Sequence, residues 1–334
     1  MRRAACILVA LAASFAPLAQ LAANDSTAEH GAGGLVLKQS DDIDMVSEDL
    51  YVSAERIQVR YVFRNRAPRD ASVTVAFPMP DRDLAADRWG DSAYPGDFST
   101  RVDGRPVRMA VERRAVLGSA DHSALLQGLG VPIAPDDEGT RLIVDALAAL
   151  PPAARERLRA LRLIETDEYD AGQGWRRDPV PAWTVRETWY WEQVFPAGRD
   201  LRVEHEYAPG TGGSVDVALA RPEYRNSEEG RREMAEYCAD RAFLSALDRV
   251  AREAPRRGGS ITERRVRYIL TTGGNWRSPI GDFRLVVDKG RPENLVSFCG
   301  TGLRRISPTR FEMRRRNWRP DRNLAVLIVQ RTGN

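Results

Sequence analysis

The segment Ile57–Asn65 reads IQVRYVFRN, with large apolar side chains at every second position. Successive side chains of a β-strand point to opposite faces of a sheet. The spacing of Ile57, Val59, Tyr61 and Phe63 therefore predicts a strand that rests one face on a hydrophobic core. Outside this segment the same alternation recurs several times, which indicates a mainly β protein.

Alternating apolar residues predict strands at residues 56–64, 72–77, 184–195, 200–207, 264–271, 282–288 and 323–330. Asp103-Gly104, between Val102 and Val107, is typical of a hairpin turn. The segment from Leu324 to Val329 is apolar on both faces, which predicts a central, buried strand. Short strands separated by turns rich in Gly, Asn and Pro favour a β-sandwich.

Two regions have helical spacing instead. Leucines recur every three to four positions in residues 140–163, where Pro151-Pro152 divides two short helices, and an apolar stripe marks residues 230–253. Asp240 is a candidate cap within the second region, close to Cys238. We therefore predict a mainly β (α+β) fold of immunoglobulin-like β-sandwich lobes with helical insertions.

The first residues have the layout of a secretory signal peptide. Met1-Arg2-Arg3 is positively charged, residues 4–18 are mostly apolar, and Leu21-Ala22-Ala23 offers small residues for signal peptidase. A membrane anchor is the alternative, but the apolar run is shorter than the roughly 20 residues that span a bilayer. We expect cleavage after Ala23 and a mature chain in the periplasm without a transmembrane segment.

The expected organisation is a signal peptide (1–23), an N-terminal β-rich lobe (24–225) with the helical insertion at about 140–163, and a linking helix with a C-terminal β-sandwich lobe (226–334). Positive and negative side chains are balanced, with 50 Lys and Arg against 47 Asp and Glu. This balance argues against a nucleic-acid partner.

Two cysteines remain after removal of Cys6 with the signal peptide. Cys238 and Cys299 are an even pair in an oxidising compartment, which favours a disulfide between them. Two buried free thiols are the alternative. A metal pair is less favoured, because no further Cys or His lies near either residue in the sequence.

Several short motifs are spread along nearly all of the mature chain: NDSTA at 24–28, GGL at 33–35, Met45 with Glu48-Asp49-Leu50, the alternating segment 57–65, AFPMP at 76–80, LTTGGNW at 270–276, PIGDF at 279–283 and LVSFC at 295–299. Together these motifs resemble one family of bacterial secreted proteins, the domain of unknown function family 4424. The resemblance implies secretion and one integrated module. The family carries no known activity, so it assigns no functional residue to this chain.

Candidate catalytic groups are few. Of His30, His122 and His205, only His205 lies on the apolar face of a predicted strand, where a core histidine is favoured over a catalytic base. Glu187 and Glu192, and the acidic residues 165–170, are the candidate carboxylate pairs of a glycosidase. Residues 41–44 and 136–138 contain oxygen ligands for calcium but lack the EF-hand pattern. Strand polarity or solvated loops explain these groups better than catalysis or metal binding does, and we expect no cofactor.

Aromatic residues make binding the favoured class of function. Trp175 and Trp183 bracket a loop rich in Gly and Pro, and Trp276 lies in a turn, so all three are candidates for stacking on sugars or peptides. The alternative is that these rings attach loops to the core. A basic patch of Arg314, Arg315, Arg316 and Arg319 surrounds Trp318; it suits an anionic envelope polymer or a solvated strand face.

We therefore expect a non-catalytic binding or structural module of the cell envelope, with an unidentified envelope ligand or protein as its partner. A carboxylate-dependent hydrolase of envelope glycans or peptides is the alternative. An enzyme should bring acidic side chains with shifted pKa values together in a cleft, whereas a binding module should expose an aromatic surface.

Overall fold

The computed structural model describes residues 24–31, 34–86, 96–136, 139–170, 172, 174–210, 212–214 and 216–332. Over these residues the chain is mainly β with helical insertions, which confirms the expected fold class. The predicted signal peptide, residues 1–23, lies outside the described residues.

The elements before residue 220 are mostly strands. In chain order they are β1 (Ser26–Gly31), β2 (Gly34–Lys38), β3 (Ile43–Val52), β4 (Ile57–Asn65), β5 (Ala71–Pro78), β6 (Arg82–Asp83), β7 (Gly96–Val102), β8 (Arg105–Pro106), β9 (Ala110–Leu117), β10 (Ala120–Asp121), α1 (Ser123–Gly128), α2 (Arg141–Ala149), α3 (Pro152–Ala160), β11 (Ile164–Asp170), β12 (Trp175–Pro181), β13 (Thr184–Phe195), β14 (Asp200–Ala208) and β15 (Gly212–Ser214).

The remaining part of the chain begins with helices and ends with strands. Its elements are α4 (Pro222–Arg225), α5 (Glu228–Glu236), α6 (Arg241–Glu253), β16 (Ser260–Tyr268), β17 (Ile280–Asp288), β18 (Leu295–Phe298), β19 (Arg304–Arg305), β20 (Arg310–Trp318) and β21 (Leu324–Thr332). Each of the seven predicted strand segments corresponds to one of the long strands.

The strands form three sheets and one separate hairpin. The first sheet has the order β10-β9-β13-β5-β1-β2, with β6 also on β13; the large sheet is β19-β20-β17-β3-β4-β14-β7-β8; the small sheet is β15-β16-β21-β18; the hairpin is β11-β12. The strand pairs are antiparallel except β3 with β17, which run parallel. This pair joins the two sides of the expected boundary between residues 225 and 226 in one sheet.

Side-chain periodicity places the core as the sequence predicts. Ile57, Val59, Tyr61 and Phe63 of β4 are all buried, whereas Arg60 between them is exposed. β21 lies between β16 and β18, and its residues 324–329 are buried on both faces. At the predicted hairpin, Asp103 and Gly104 both have positive φ angles, as a two-residue turn of type I′ requires.

One hydrophobic core is shared by all three sheets. Phe77 and Phe195 come from the first sheet, Phe63 and Phe283 from the large sheet, and Val326 from the small sheet. The first sheet, the large sheet and the small sheet therefore share one common core. The N-terminal residues Asn24 to Thr27 are buried as well.

The predicted helical insertion forms α2 and α3, which Pro151 separates, with Pro152 in the first turn of α3. Together with α1 and the β11-β12 hairpin they make up what we call the helical lobe. Leu126, Ile143, Leu147, Leu158 and Trp183 form its own apolar cluster. No helix within the described ranges has the length and apolar character needed to cross a bilayer.

The second predicted helix is divided in two. Ser227 caps α5 by accepting a hydrogen bond from the Gly230 amide, and Asp240 caps α6 by accepting one from the Phe243 amide at 2.8 Å. Cys238 lies in the break between the helices with a positive φ of 49°. Asp240 therefore starts a new helix, as its place in the sequence suggests.

The acidic segment 165–170 and the loop expected after it form the β11-β12 hairpin instead. Its strands pair in register from Ile164 with Pro181 to Asp170 with Trp175. Cross-strand contacts between polar side chains stabilise it in place of apolar burial: Glu168 pairs with Arg177 at 2.9 Å, and Tyr169 donates to Asp178 at 2.8 Å. An apolar alternation is absent from this ribbon, which is why the sequence pattern did not predict it.

Candidate functional site

The three candidate stacking tryptophans lie in different environments. Trp183 and Trp276 are fully buried, whereas Trp175 is 76% exposed. The Trp183 indole nitrogen donates to the Ile133 carbonyl oxygen at 2.8 Å inside the helical lobe. The Trp276 ring lies 4.5 Å from that of Phe63, and its nitrogen donates to the Asp25 carbonyl oxygen at 2.8 Å. Only Trp175 is therefore placed to meet a ligand.

Trp175 starts β12 at the end of the hairpin and lies opposite Asp170. Because side chains alternate along a strand, Trp175 shares one face of the ribbon with Arg177 and with their partners Asp170 and Glu168. All four side chains are exposed. The result is an indole ring next to two carboxylates and one guanidinium, which we call the Trp175 face.

The base of the hairpin packs against α2 and α3 of the helical lobe. Ile164, Pro179 and Pro181 are buried, and Ile164 belongs to the apolar cluster beneath α2 and α3. The exposed end of the hairpin, with Trp175, is therefore connected to a base that is packed against the protein. A ligand at the Trp175 face would meet side chains that cross-strand contacts already hold in register.

The structure contains the expected disulfide between Cys238 and Cys299, with a Cα–Cα distance of 5.0 Å. Cys299 directly follows β18, so the bond attaches the break between α5 and α6 to the small sheet. Ser297 supports the same junction by donating to the Tyr237 carbonyl oxygen at 2.9 Å. The Arg322 guanidinium lies 3.3 Å from the Cys299 sulfur.

A cluster of polar groups lies inside the common core, around residues 24 and 25. Asn24 donates to a Glu48 carboxylate oxygen at 3.0 Å and accepts a hydrogen bond from Tyr61, whose hydroxyl is 2.8 Å from that of Tyr268. All four side chains are buried. Burial raises the pKa of Glu48 to about 8, with a further contribution from the nearby Asp25 carboxylate that the hydrogen bond from Asn24 partly offsets.

His205 joins Asp25 to Thr100 in the same region. Its Nε2 atom is 3.0 Å from Asp25 Oδ1, and its Nδ1 atom is 2.8 Å from the Thr100 hydroxyl. The order carboxylate, imidazole, hydroxyl is that of a hydrolytic triad. However, Asp25 and His205 have no exposed side-chain surface and Thr100 is buried, so these groups form an internal polar network.

Glu187 and Glu192 lie on opposite faces of β13. Glu187 is buried, pairs with Arg113 at 2.6 Å and accepts a hydrogen bond from the Trp189 indole at 2.8 Å. Desolvation raises its pKa to about 7. Glu192 is exposed and accepts a hydrogen bond from Thr74. Side chains an odd number of positions apart on a regular strand point to opposite faces of the sheet. The two carboxylates therefore do not flank a common cleft.

A shallow cavity of about 70 Å³ lies on the outer face of β4, β14 and β7. Gln58, Arg60, Ser99, Arg101, Glu204 and Glu206 line it together with Val59 and His205. None of the carboxyl groups with a raised pKa is among them. The described residues contain no group of three or more His, Cys, Asp or Glu side chains that could hold a metal ion.

The remaining sequence candidates have local roles. In the basic patch, Arg315 donates to Thr301, Arg314 pairs with Glu312, and the Trp318 ring lies 4.5 Å from that of Phe283. Asp44 accepts hydrogen bonds from Arg66 and Ser278, while residues 137–138 lie outside the described residues.

Sequence reasoning missed the polar cluster, because residues 24–34 have no apolar period that would predict their burial. A signal was nevertheless available. Tyr61, His205 and Tyr268 each occupy the apolar face of a predicted strand while carrying a polar tip that needs a partner once buried. Three such residues on three strands indicate a shared polar partner inside the core.

Solved structures resemble the fold only distantly. A candidate nutrient-binding protein from Legionella pneumophila matches with 15% identity and a TM-score of 0.45, over 92% of this chain and 70% of its own. An M1 zinc metallopeptidase from Deinococcus radiodurans matches with 10% identity and a TM-score of 0.23, over 87% of this chain and 43% of its own. No curated protein matches the chain.

A family model matches residues 23–327, which is most of the 334-residue chain. The match includes the N-terminal residues of the buried polar cluster, the helical lobe and the disulfide. The chain belongs to the family described as domain of unknown function DUF4424.

Proposed function

We propose that the mature chain is a non-catalytic binding module of the bacterial cell envelope, exported to the periplasm, and that the Trp175 face contacts a carbohydrate polymer. The observation that carries the proposal is the position of Trp175, a large indole ring that is 76% exposed at the end of an anchored hairpin. Burial of such a ring against a ligand is a favourable source of binding free energy.

The neighbours of Trp175 favour a sugar as the ligand. The C–H bonds on one face of a pyranose ring carry partial positive charge, and the face of an indole ring is negative, so the two stack. Asp170 and Glu168 offer acceptors for sugar hydroxyl groups, and Arg177 offers donors, all on the same face of the ribbon. A sugar can add its hydroxyl groups to the Glu168–Arg177 pair and to Asp170, whereas an apolar ligand would gain nothing from these charged groups.

The positions of the carboxyl groups support binding over hydrolysis. Asp25, Glu48, Glu187 and Glu263, whose pKa values burial raises, are enclosed within the protein, away from the Trp175 face. A glycosidase needs two carboxyl groups on either side of an accessible bond. Asp170 and Glu168 are exposed at the end of the hairpin, where water is not excluded from a substrate.

The proposal is tested by sedimentation of the mature protein with isolated peptidoglycan sacculi. The wild-type protein should pellet with the sacculi, and Trp175→Ala should remain mostly in the supernatant. Val194→Ala is the matched control, because Val194 is an exposed apolar residue, 50% accessible, on the first sheet. Equal pelleting of all three proteins would contradict the assignment of the site.

The same samples decide between binding and hydrolysis. Soluble muropeptides in the supernatant of the wild-type protein, absent with heat-inactivated protein, would favour the hydrolase. Binding without release of fragments is the result expected of a binding module.

A further inference from the structure

The buried polar cluster has more negative groups than positive ones. Asp25 and Glu48 are both completely enclosed, and His205 is the basic side chain bonded to either of them in the described structure. Asp25 Oδ2 and Glu48 Oε1 have no hydrogen-bond partner. Because an unpaired carboxylate oxygen inside a protein is costly, the cluster lacks one buried donor, preferably a cation.

Residue 24 is held at this place by its neighbours. The Thr272 hydroxyl donates to the Asn24 carbonyl oxygen at 2.8 Å, and the Trp276 indole donates to the next carbonyl, that of Asp25, at 2.8 Å. The Asn24 amide group donates to Glu48 Oε2 at 3.0 Å. The backbone nitrogen of Asn24 is four covalent bonds from that amide nitrogen, hence within about 5 Å of it.

Cleavage after Ala23, which the sequence predicts, changes the chemistry at this nitrogen. Water adds across the Ala23–Asn24 amide bond, so that Ala23 leaves as a carboxylate and Asn24 retains a protonated α-amine. A neutral amide thereby becomes an ammonium group with three donors.

We propose that this α-ammonium group of Asn24 is the missing cation of the cluster, and that it forms a buried ion pair with Glu48, adjacent to Asp25. The charge balance supports the pairing. Two acidic side chains, Asp25 and Glu48, face one basic side chain, His205, and the ammonium supplies a second basic group beside them. The other titratable groups around it, Tyr61 and Tyr268, remain neutral, because burial raises their pKa values far above 10.

The consequence is that removal of the signal peptide completes the core. While the leader is attached, Glu48 stays protonated or is ionised without a cation beside it, and either state costs free energy that the ammonium would recover. After cleavage the N-terminus belongs to the folded structure and is no longer a free chain end. The inference depends on the cleavage position and not on what the Trp175 face binds.

The accessibility of the α-amine to an acylating reagent tests the pairing. Lys38 and Lys289 are the lysines of the chain, so three amines account for all labelling of a mature protein, and mass spectrometry can assign each. The chain is produced with Asn24 as its first residue by scarless removal of a fusion partner, and acylated with an N-hydroxysuccinimide acetate ester before and after unfolding.

In the folded protein we expect the Asn24 amine to react on the order of a hundredfold more slowly than in the unfolded chain, because acylation requires local opening. The exposed Lys38 should react readily in both states and serves as the internal control. A second chain with Gly-Ser before Asn24 should show no protection of its amine. An Asn24 amine that reacts equally fast in the folded and unfolded chain would overturn the proposal.

Glu48→Gln distinguishes an ion pair from simple burial. The variant should lose most of the protection of the Asn24 amine, whereas Glu192→Gln, an exposed carboxylate of β13, should retain it. Full protection in Glu48→Gln would overturn the pairing with Glu48. If Glu48→Gln fails to fold, the acylation rates of the folded and unfolded wild-type chain still show by themselves whether the Asn24 amine is buried. Intact mass of periplasmic protein separately reports whether the cell cleaves at Ala23.

Discussion

Trp175 and Trp183 are eight residues apart, yet they should respond oppositely to mutation. Trp175→Ala removes an exposed ring and should change the free energy of unfolding by less than about 0.5 kcal/mol. Trp183→Ala leaves a large cavity and an unpaired Ile133 carbonyl oxygen, and should cost about 3–5 kcal/mol. Chemical denaturation of the two variants measures the difference, and a large loss of stability in Trp175→Ala would contradict the exposed position of this ring.

Glu48 should make the stability of an N-terminally extended chain depend on pH. Its pKa is about 8 in the folded chain and ordinarily about 4.5, so the folded state binds the additional proton between these values. Stability is therefore present at low pH and lost as the pH rises from about 4.5 to 8.

The corresponding measurement compares the chain carrying Gly-Ser before Asn24 with its Glu48→Gln variant. The variant should gain in relative stability by up to about 4–5 kcal/mol from pH 4.5 to pH 8, because folding raises the pKa of Glu48 from 4.5 to about 8. Denaturant titrations at a series of pH values give this difference. Parallel pH profiles for the two proteins would show that Glu48 titrates normally.

The sequence predicts individual buried residues well where their strands alternate regularly. Ile57 to Phe63 is the example, since solvent contact on one face determines its pattern, and the continuous apolar run from Leu324 to Val329 is equally readable as a strand buried on both faces. It predicts the tryptophans poorly, because an indole ring suits both a core and an exposed binding face. Only the tertiary position separates Trp175 from Trp183 and Trp276.

Among the elements, the break between α5 and α6 is stabilised by the disulfide. Changing Cys238 and Cys299 to Ser releases a loop of 61 residues, and should lower the free energy of unfolding by about 4 kcal/mol in the chain-entropy model. Thermal denaturation under non-reducing conditions measures the loss, and a thiol assay of the denatured protein should find none before reduction. Equal stability of the double variant would assign the bond no structural role.

The cap of α6 gives a smaller effect at the same junction. Asp240→Ala removes the acceptor of the Phe243 amide and should cost about 1 kcal/mol. Asp240→Asn retains an acceptor and should cost less. Urea denaturation resolves the two variants, and an equal loss for both would mean that the carboxylate acts through its charge instead of through the cap.

The hairpin β11-β12 is the element that the sequence did not predict, and it carries the proposed binding site. Its strands are held by cross-strand polar pairs, which have no signature in hydrophobic periodicity. The helices α2 and α3, by contrast, follow from leucine spacing and from Pro151-Pro152. Helices with an apolar stripe are therefore predictable here, and a ribbon held by polar pairs is not.

At the scale of the whole molecule, the parallel pairing of β3 with β17 makes the large sheet depend on both ends of the chain. We expect residues 226–334 expressed alone to lack a cooperative unfolding transition, because β17 would lose its β3 partner and the shared core would be open. Circular dichroism during thermal denaturation tests this expectation. A cooperative transition of the isolated fragment would establish it as an independent domain. A sequence pattern predicts strands, but the choice of distant partners depends on the three-dimensional packing.

The central claim, that the chain binds a glycan through the Trp175 face, is tested most directly by the indole N–H signals in a ¹H–¹⁵N NMR spectrum. The chain has seven tryptophans, and the signal missing in Trp175→Phe identifies Trp175. On addition of soluble peptidoglycan fragments, the account predicts that this signal shifts while those of Trp183 and Trp276 do not. An unchanged Trp175 signal at saturating fragment concentration, or shifts confined to other indoles, would contradict it.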